Sequence, residues 1–204
     1  MSTQPLSPLP RLGFFGGSFD PPHLGHLAIC QLALEQANLE FLLVCPAYHA
    51  PLRDQAPLFS SDERMEMARL LCQEDERLRL CSLELDQKKT CFTHDTISEV
   101  GKTHPGYEIL LLLGDDQLKR LDQWQSAPQL ARMVHFLVFA RESSSLPPLP
   151  LPNLRMTCMN NPLINLSSTS IRTSLMAGKL PKDSLPHSIE RYILDQNLFP
   201  LSIH

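Results

Sequence analysis

The stretch GGSFDPPHLGH (Gly16–His26) places two glycines, two prolines and two histidines within eleven residues, directly after the apolar run RLGFF (11–15). Gly16 and Gly17 suit a backbone turn in which a Cβ would clash. Pro21 and Pro22 fix φ and carry no N–H, so the stretch cannot be the middle of a strand. From there Leu24, Leu27, Ile29, Leu32 and Leu34, with Ala28 and Ala33 between them, suit a helix packed on a sheet. The stretch reads as strand, tight loop and helix N-terminus, with His23 and His26 flanking the first turn. Glycine backbone beside the partial positive charge of a helix start is a place for a phosphate.

Working outward, short apolar segments alternate with helical patterns. RLGFF (11–15), FLLVC (41–45), LRLCSLEL (78–85), YEILLLLG (107–114), VHFLVFA (134–140) and LRMTCM (154–159) read as strands. Two of them are nearly continuous apolar runs, as expected of strands covered on both faces. Helical patterns run near 24–37, 61–74, 93–102, 126–132, 168–177 and 187–196. Ser60 and Glu63 have capping-box spacing, and Gly178 is a helix stop. The alternation predicts an α/β fold, a doubly wound, mostly parallel sheet with helices on both faces and right-handed crossovers. One domain is expected over 1–204, with 1–10 a loose lead-in. Segments 46–60 and 141–153 read as loops, and the PPLP within the latter reads as semi-rigid surface chain. Ligands of such sheets bind beyond the C-terminal strand ends where the winding reverses, which directs attention to the loops after 15, 45, 114 and 166.

Composition narrows the function classes. The chain has 204 residues, 43% hydrophobic and 20% charged, with a formal charge of −4. That charge offers no broad attraction to nucleic acid or to an anionic membrane, so any phosphate recognition must be local. No apolar run approaches a membrane span, and the start MSTQPLSPLPR lacks the basic and apolar regions of a signal peptide, so a cytoplasmic protein is expected. The six cysteines show no CxxC and no metal spacing, and read as buried, reduced thiols.

Three stretches can carry chemistry. The first, Gly16–His26, is neither a GxxxxGK[ST] loop nor a GxGxxG fingerprint, yet its two imidazoles can follow charge developing on phosphoryl oxygens. The alternatives are a helix-capping His23 with a surface His26, or half a metal site, although no third ligand stands at suitable spacing. In LSSTSIRTSL (166–175), Ser167, Ser168 and Thr169 precede a helical pattern in which Ile171 and Leu175 pack inward. Arg172 then falls in the first turn, where it opposes the macrodipole; a polyphosphate would account for it, and a solvated arginine is the alternative. In LLLGDDQLKRLDQW (111–124), Gly114, Asp115 and Asp116 end the strongest strand, where a carboxylate can accept ribose hydroxyls. Trp124, the single tryptophan, is either core or a ring face for a flat heterocycle.

Together GGSFDPPHLGH, GDDQLKRLDQW and SSTSIR resemble bacterial nicotinate-mononucleotide adenylyltransferases, of the nucleotidyltransferase superfamily marked by an (H/T)xGH signature, here His23-Leu24-Gly25-His26. CFTHDTI (91–97) is similar to the family's SYTxDT segment and IERYILDQNLF (189–199) to its closing helix, so the resemblance spans nearly the whole chain. It implies a Rossmann-like fold and transfer of AMP from ATP to nicotinate mononucleotide, giving deamido-NAD and pyrophosphate. By the same resemblance Gly16, Gly17, Ser18, Phe19, His23 and His26 line the ATP phosphates. Ser168 and Arg172 grip the β- and γ-phosphates, and Gly114 and Asp116 hold the adenosine ribose. Thr93 and Trp124 receive the nicotinate ring, Trp124 by stacking, with backbone amides near Phe92 and Thr93 for its carboxylate. Phe92 stands where the family usually has Tyr. HAPLRD replaces the usual PPH(K/R), so Leu52 takes the place of a phosphate-contacting histidine; Arg53 keeps the basic residue, and His49 stands nearby.

The resemblance further implies in-line attack by the mononucleotide phosphate with no covalent intermediate. His23 and His26 stabilise the transition state and Arg172 the leaving group. Mg2+ is expected on the ATP phosphates rather than in a protein cage. Rivals are transfer to pantetheine phosphate or a polyol phosphate, and a nucleotide-binding regulator without turnover, to which Leu52 lends weight. The sequence leaves a homo-oligomer open.

Overall fold

The computed structural model describes residues 9–52, 55–140, 151, 154–162 and 166–200. Six strands, β1 (Arg11–Gly17), β2 (Phe41–Pro46), β3 (Leu78–Leu80), β4 (Glu108–Gly114), β5 (His135–Phe139) and β6 (Met156–Cys158), form one sheet in the order β3-β2-β1-β4-β5-β6. Every pairing is parallel. The winding runs outward from β1 to β3, then returns to place β4 on the other side of β1. The reversal lies between β1 and β4, whose C-terminal ends carry the Gly16–His26 stretch and Gly114.

The central strands of such a sheet are covered on both faces, and β1, β2, β4 and β5 are apolar along most of their length. In β1, Leu12 and Phe14 face one core and Phe15 the other; in β4, Ile109, Leu111 and Leu113 alternate with Leu110 and Leu112. One core packs beneath α1 (Leu24–Gln36), α2 (Ser61–Cys72), α7 (Ser168–Met176) and α8 (His187–Asp195). The opposite core lies beneath α4 (Thr93–Thr103), α5 (Asp115–Leu118), a 3-10 turn at Leu121–Gln123 and α6 (Ala127–Met133). Crowding is tight where α1 returns to β2: a Cβ on Gly13 would lie 2.7 Å from Leu39 Cδ1. The doubly wound parallel α/β fold expected from the sequence is the fold observed.

Three local readings are corrected. The expected strand over 78–85 stops at Leu80, and Leu83–Asp86 forms a helical turn, α3. Gly16 and Gly17 do not turn: they continue β1 in register with Cys45 and Pro46, and the residue with positive φ is Phe19, at 46°. The cysteines are all free thiols, but only Cys30, Cys45 and Cys81 are buried, and Cys158 is exposed. The 141–150 part of the Pro/Ser-rich loop, PPLP included, lies outside the described residues.

Candidate active site

The C-terminal ends of β1, β2 and β4 open into a cleft of about 490 Å³. Gly16 and Gly17 form part of its floor, where a side chain would have to share space with Phe14 and Phe19; a Cβ on Gly16 would sit 3.2 Å from Phe14 Cε1. Phe92 and Thr93 line it from the start of α4, Asp116 from α5, and Trp124 from the end of the 3-10 turn. Leu52 lines it too, 43% exposed, whereas neighbouring His49 lines neither this cleft nor the one described next. Arg53 lies outside the described residues. A second cavity, about 630 Å³, adjoins across Ala50 and is lined by Ser18, Asp20, Thr169 and Arg172 among others.

Trp124 satisfies both of its alternatives. It is half-buried against the core beneath α4 and α6, and the same ring walls the cleft. Gly114, the N-cap of α5, ends β4 beside Phe139. The Asp115 carboxylate turns back to accept the Asp116 N–H at 2.9 Å, so Asp115 is buried while Asp116 faces the cleft.

The two histidines sit where β1 hands over to α1. His23 is the N-cap residue, 5% exposed, and its ring stacks on that of His26 with centroids 3.7 Å apart. The His23 N–H donates to His26 Nδ1 at 3.2 Å. An accepting Nδ1 places the proton of the neutral His26 ring on Nε2, which is then a donor. Neither histidine is among the residues lining the two cavities. The first-turn amides of α1 are less open than the sequence suggested: Leu24 N–H donates to Ser184 O and His26 N–H to His23 O.

Arg172 is the fifth residue of α7, a position further in than expected. Its Nη1 donates to Asp20 O at 2.9 Å and stands 3.5 Å from Asp20 Oδ2, and Nη2 donates to Thr169 Oγ1. Asp20 thus supplies a counter-charge that the sequence reading did not name. Ser168 Oγ donates to Pro21 O at 3.0 Å, which ties the start of α7 to the Gly16–His26 loop.

Two functional supports were missed. The Asp20 carboxylate, 3% exposed, accepts the N–H groups of Leu58 and Phe59, each at 2.9 Å. Arg64, 1% exposed, donates to Ser18 O (2.9 Å), Tyr48 O (3.1 Å), Phe59 O (3.3 Å) and Ala47 O. Burial pulls its guanidinium below the usual arginine range, against the pull of Asp20. Together they fasten the loops after β1 and β2 to each other and to α7. A signal for Arg64 was available: it shares the spacing of Met67, Ala68 and Leu71, the buried stripe of α2, and a cation on an apolar stripe needs partners.

The cytidylyltransferase-like family matches residues 14–174, from the third strand residue before Gly17 to within α7. This chain belongs to that family. Within it, the chain is 34% identical over 189 residues to a protein of Shouchella clausii named as a probable nicotinate-nucleotide adenylyltransferase, covering 93% of this chain and 96% of the relative. A protein of Chlorobaculum parvum bearing the same name is 34% identical over 198 residues, covering 93% and 98%. The fold is similar to that of the Plasmodium falciparum nicotinic acid mononucleotide adenylyltransferase complexed with NaAD, at a TM-score of 0.77 and 18% identity, covering 96% of this chain and all of that one. The same enzyme complexed with APC gives a TM-score of 0.76. The resemblance carried by the motifs of this cytidylyltransferase-like chain is borne out. Among its described residues no helix is long and apolar enough to cross a membrane.

Proposed function

We propose that this protein transfers AMP from ATP to nicotinate mononucleotide, giving deamido-NAD and pyrophosphate, a step of NAD biosynthesis carried out in the cytoplasm. The observation that carries the reading is the cleft at the winding reversal, which gathers Gly16, Gly17, Thr93, Asp116 and Trp124 from four separate segments. Its relatives over nearly the whole chain bear the name of this activity.

In this reading a mononucleotide phosphate oxygen attacks the α-phosphorus of ATP, and the bond from that phosphorus to the bridging oxygen breaks, releasing pyrophosphate. The nucleophile is already ionised, so the protein aligns two repelling phosphates and stabilises charge on the transferring group. Gly16 and Gly17 let the phosphates approach backbone, with Ser18 and Phe19 at the turn that follows. His26, protonated at Nε2, and His23 stabilise the α-phosphoryl oxygens. Arg172 exchanges part of its contact with Asp20 for the leaving pyrophosphate, beside Ser168. Gly114 and Asp116 take ribose hydroxyls, and Trp124 stacks on the pyridine ring with Phe92 and Thr93 at its carboxylate.

Mg2+ carried on the ATP phosphates would offset their charge. Asp20 and Asp116 line the two cavities where a metal–nucleotide would enter, and their carboxylate oxygens are hard donors of the kind Mg2+ takes.

The test incubates the purified protein with ATP, Mg2+ and, in turn, nicotinate mononucleotide, nicotinamide mononucleotide, pantetheine phosphate and a polyol phosphate, following pyrophosphate. Release with the pyridine mononucleotides alone is expected. Release only with pantetheine phosphate or the polyol phosphate would move the acceptor assignment. Binding without release would favour the regulator that Leu52, at the usual histidine position, suggests.

A further inference from the structure

Glu84 is a carboxylate that the proposed reaction leaves unused. It lies on α3, the helical turn that replaced the end of an expected strand, and is 7% exposed. It lines the cleft beside Cys91, Phe92 and Thr93, on the wall where the ring substituent of the mononucleotide is placed. Its Oε1 accepts the Thr96 hydroxyl at 2.8 Å inside the protein. Thr96 is the fourth residue of α4, one turn in from Thr93, so the bond fastens Glu84 to the helix whose first residue lines the cleft.

We propose that Glu84 is a specificity-determining residue, which must be uncharged for a ring bearing a carboxylate to be seated at Phe92 and Thr93, and which thereby couples the preference for acid over amide to pH. The inference rests on the pyridine-ring assignment made above. An ionised Glu84 on that wall would repel the substrate carboxylate across a poorly solvated gap. The same ionised group would accept the N–H of a carboxamide. A protonated Glu84 reverses both preferences, donating to the acid. Burial raises the Glu84 carboxyl above the usual carboxylate range, and the Thr96 hydroxyl pulls it part of the way back.

The groups around Glu84 leave this role to it. From β2 and the residue after β3 come the Cys45 and Cys81 thiols, and from the approach to α4 the Cys91 thiol. On α4, His94 and Asp95 pair with each other at 2.9 Å. On α3 itself Asp86 accepts the Ser82 hydroxyl. Asp116 and Arg120 line the same cleft. Of these, Arg120 is the cation that could compete for an ionised Glu84.

Calorimetric titration with each pyridine mononucleotide, at several pH values between about 6 and about 9 and in buffers of different ionisation enthalpy, tests the assignment. The two ligands share phosphate and ribose, so the ratio of their affinities isolates the ring substituent. For the wild type, the affinity ratio of acid to amide should fall as pH rises, by up to about tenfold per pH unit. Binding of the acid should take up more proton than binding of the amide, the difference approaching one, since the phosphate and ribose that both ligands share cancel. Glu84→Gln keeps a partner for Thr96 and should abolish both the slope and the difference in uptake. Thr96→Val removes the bond that favours the ionised form, so the fall should move to higher pH. A pH-independent ratio without a difference in proton uptake in the wild type, or a Glu84→Gln protein with wild-type pH dependence, would overturn the proposal. Proton-linked binding without pyrophosphate release would overturn AMP transfer and leave Glu84's role standing; failure to bind either mononucleotide would overturn both.

Discussion

At the scale of single residues, the stacked His23–His26 pair and Trp124 place chemistry where the chain has little freedom to adjust. The bond from His23 N–H sets the His26 tautomer, so His26→Ala removes a donor without opening the core, as His26 is only half-buried. Its kcat should drop by about a hundredfold or more while its thermal midpoint stays close to wild type, the size of effect seen when one oxyanion-type donor is lost. A folded His26→Ala protein with wild-type kcat would remove the histidine from the reaction. Trp124 packs its ring on the core and walls the cleft, so its two replacements should separate the two roles. Trp124→Phe keeps an aromatic face and should keep most activity. Trp124→Ala should raise KM for nicotinate mononucleotide roughly 5- to 150-fold, the range that stacking energies of about 1–3 kcal/mol give, with KM for ATP nearly unchanged. Saturation curves for each substrate distinguish the outcomes; a rise confined to ATP would exchange the two nucleotide positions. Trp124's position in the motif was legible in the sequence, but its double contact was not, because one face of a ring meets residues distant in the chain.

At the scale of elements, α2 determines the site although it contributes no lining residue. Ser60 and Glu63 close the capping box expected from their spacing: Ser60 Oγ accepts Glu63 N–H, and Glu63 Oε2 accepts Ser60 N–H at 2.7 Å. That cap starts the helix in the register that turns Arg64 inward, onto the carbonyls of the loops after β1 and β2. Ser60→Ala should therefore cost about 1 kcal/mol, read as a lower urea midpoint at unchanged m. Arg64→Met fills similar volume but strands carbonyl acceptors, each worth about 1–3 kcal/mol when buried unpaired. It should lower the midpoint further and also raise KM for ATP, since Ser18 is one of the released carbonyls. Loss of stability with unaltered KM would make Arg64 a core residue only. The cap was readable because its partners are three residues apart. The role of Arg64 was not, because Ser18 is 46 residues away.

At the scale of the whole molecule, the sheet buries a group that makes the fold sensitive to acid. His135 opens β5, 4% exposed, with Nε2 2.9 Å from Thr157 Oγ1 on β6. Burial lowers its pKa below 6.5, a shift that nearby Arg155 and Arg11 reinforce and Glu108 opposes. The unfolded chain therefore takes up this proton first as pH falls. The stability contribution is complete above about pH 6.5 and is lost below it, by at most about 1.4 kcal/mol per pH unit for one proton. Urea midpoints at about pH 7.5 and about pH 5 should differ less in His135→Asn, which keeps a partner for Thr157, than in the wild type; equal differences would assign the acid sensitivity elsewhere. The sequence by itself determined the parallel alternation of strands and helices, the ends of most elements and the loops that hold the site, because apolar period, caps and turn residues act within a few positions of the chain. It also carried, through the motifs around Gly16, Gly114 and Ser168, the family. Only the tertiary structure decided the Asp20–Arg172 pairing, the four carbonyls gathered by Arg64, the turn at Phe19 and the place of Glu84 in the cleft wall. These depend on which segments the winding of the sheet brings together, and a hydrogen bond or a buried charge between segments leaves no periodic trace in either one.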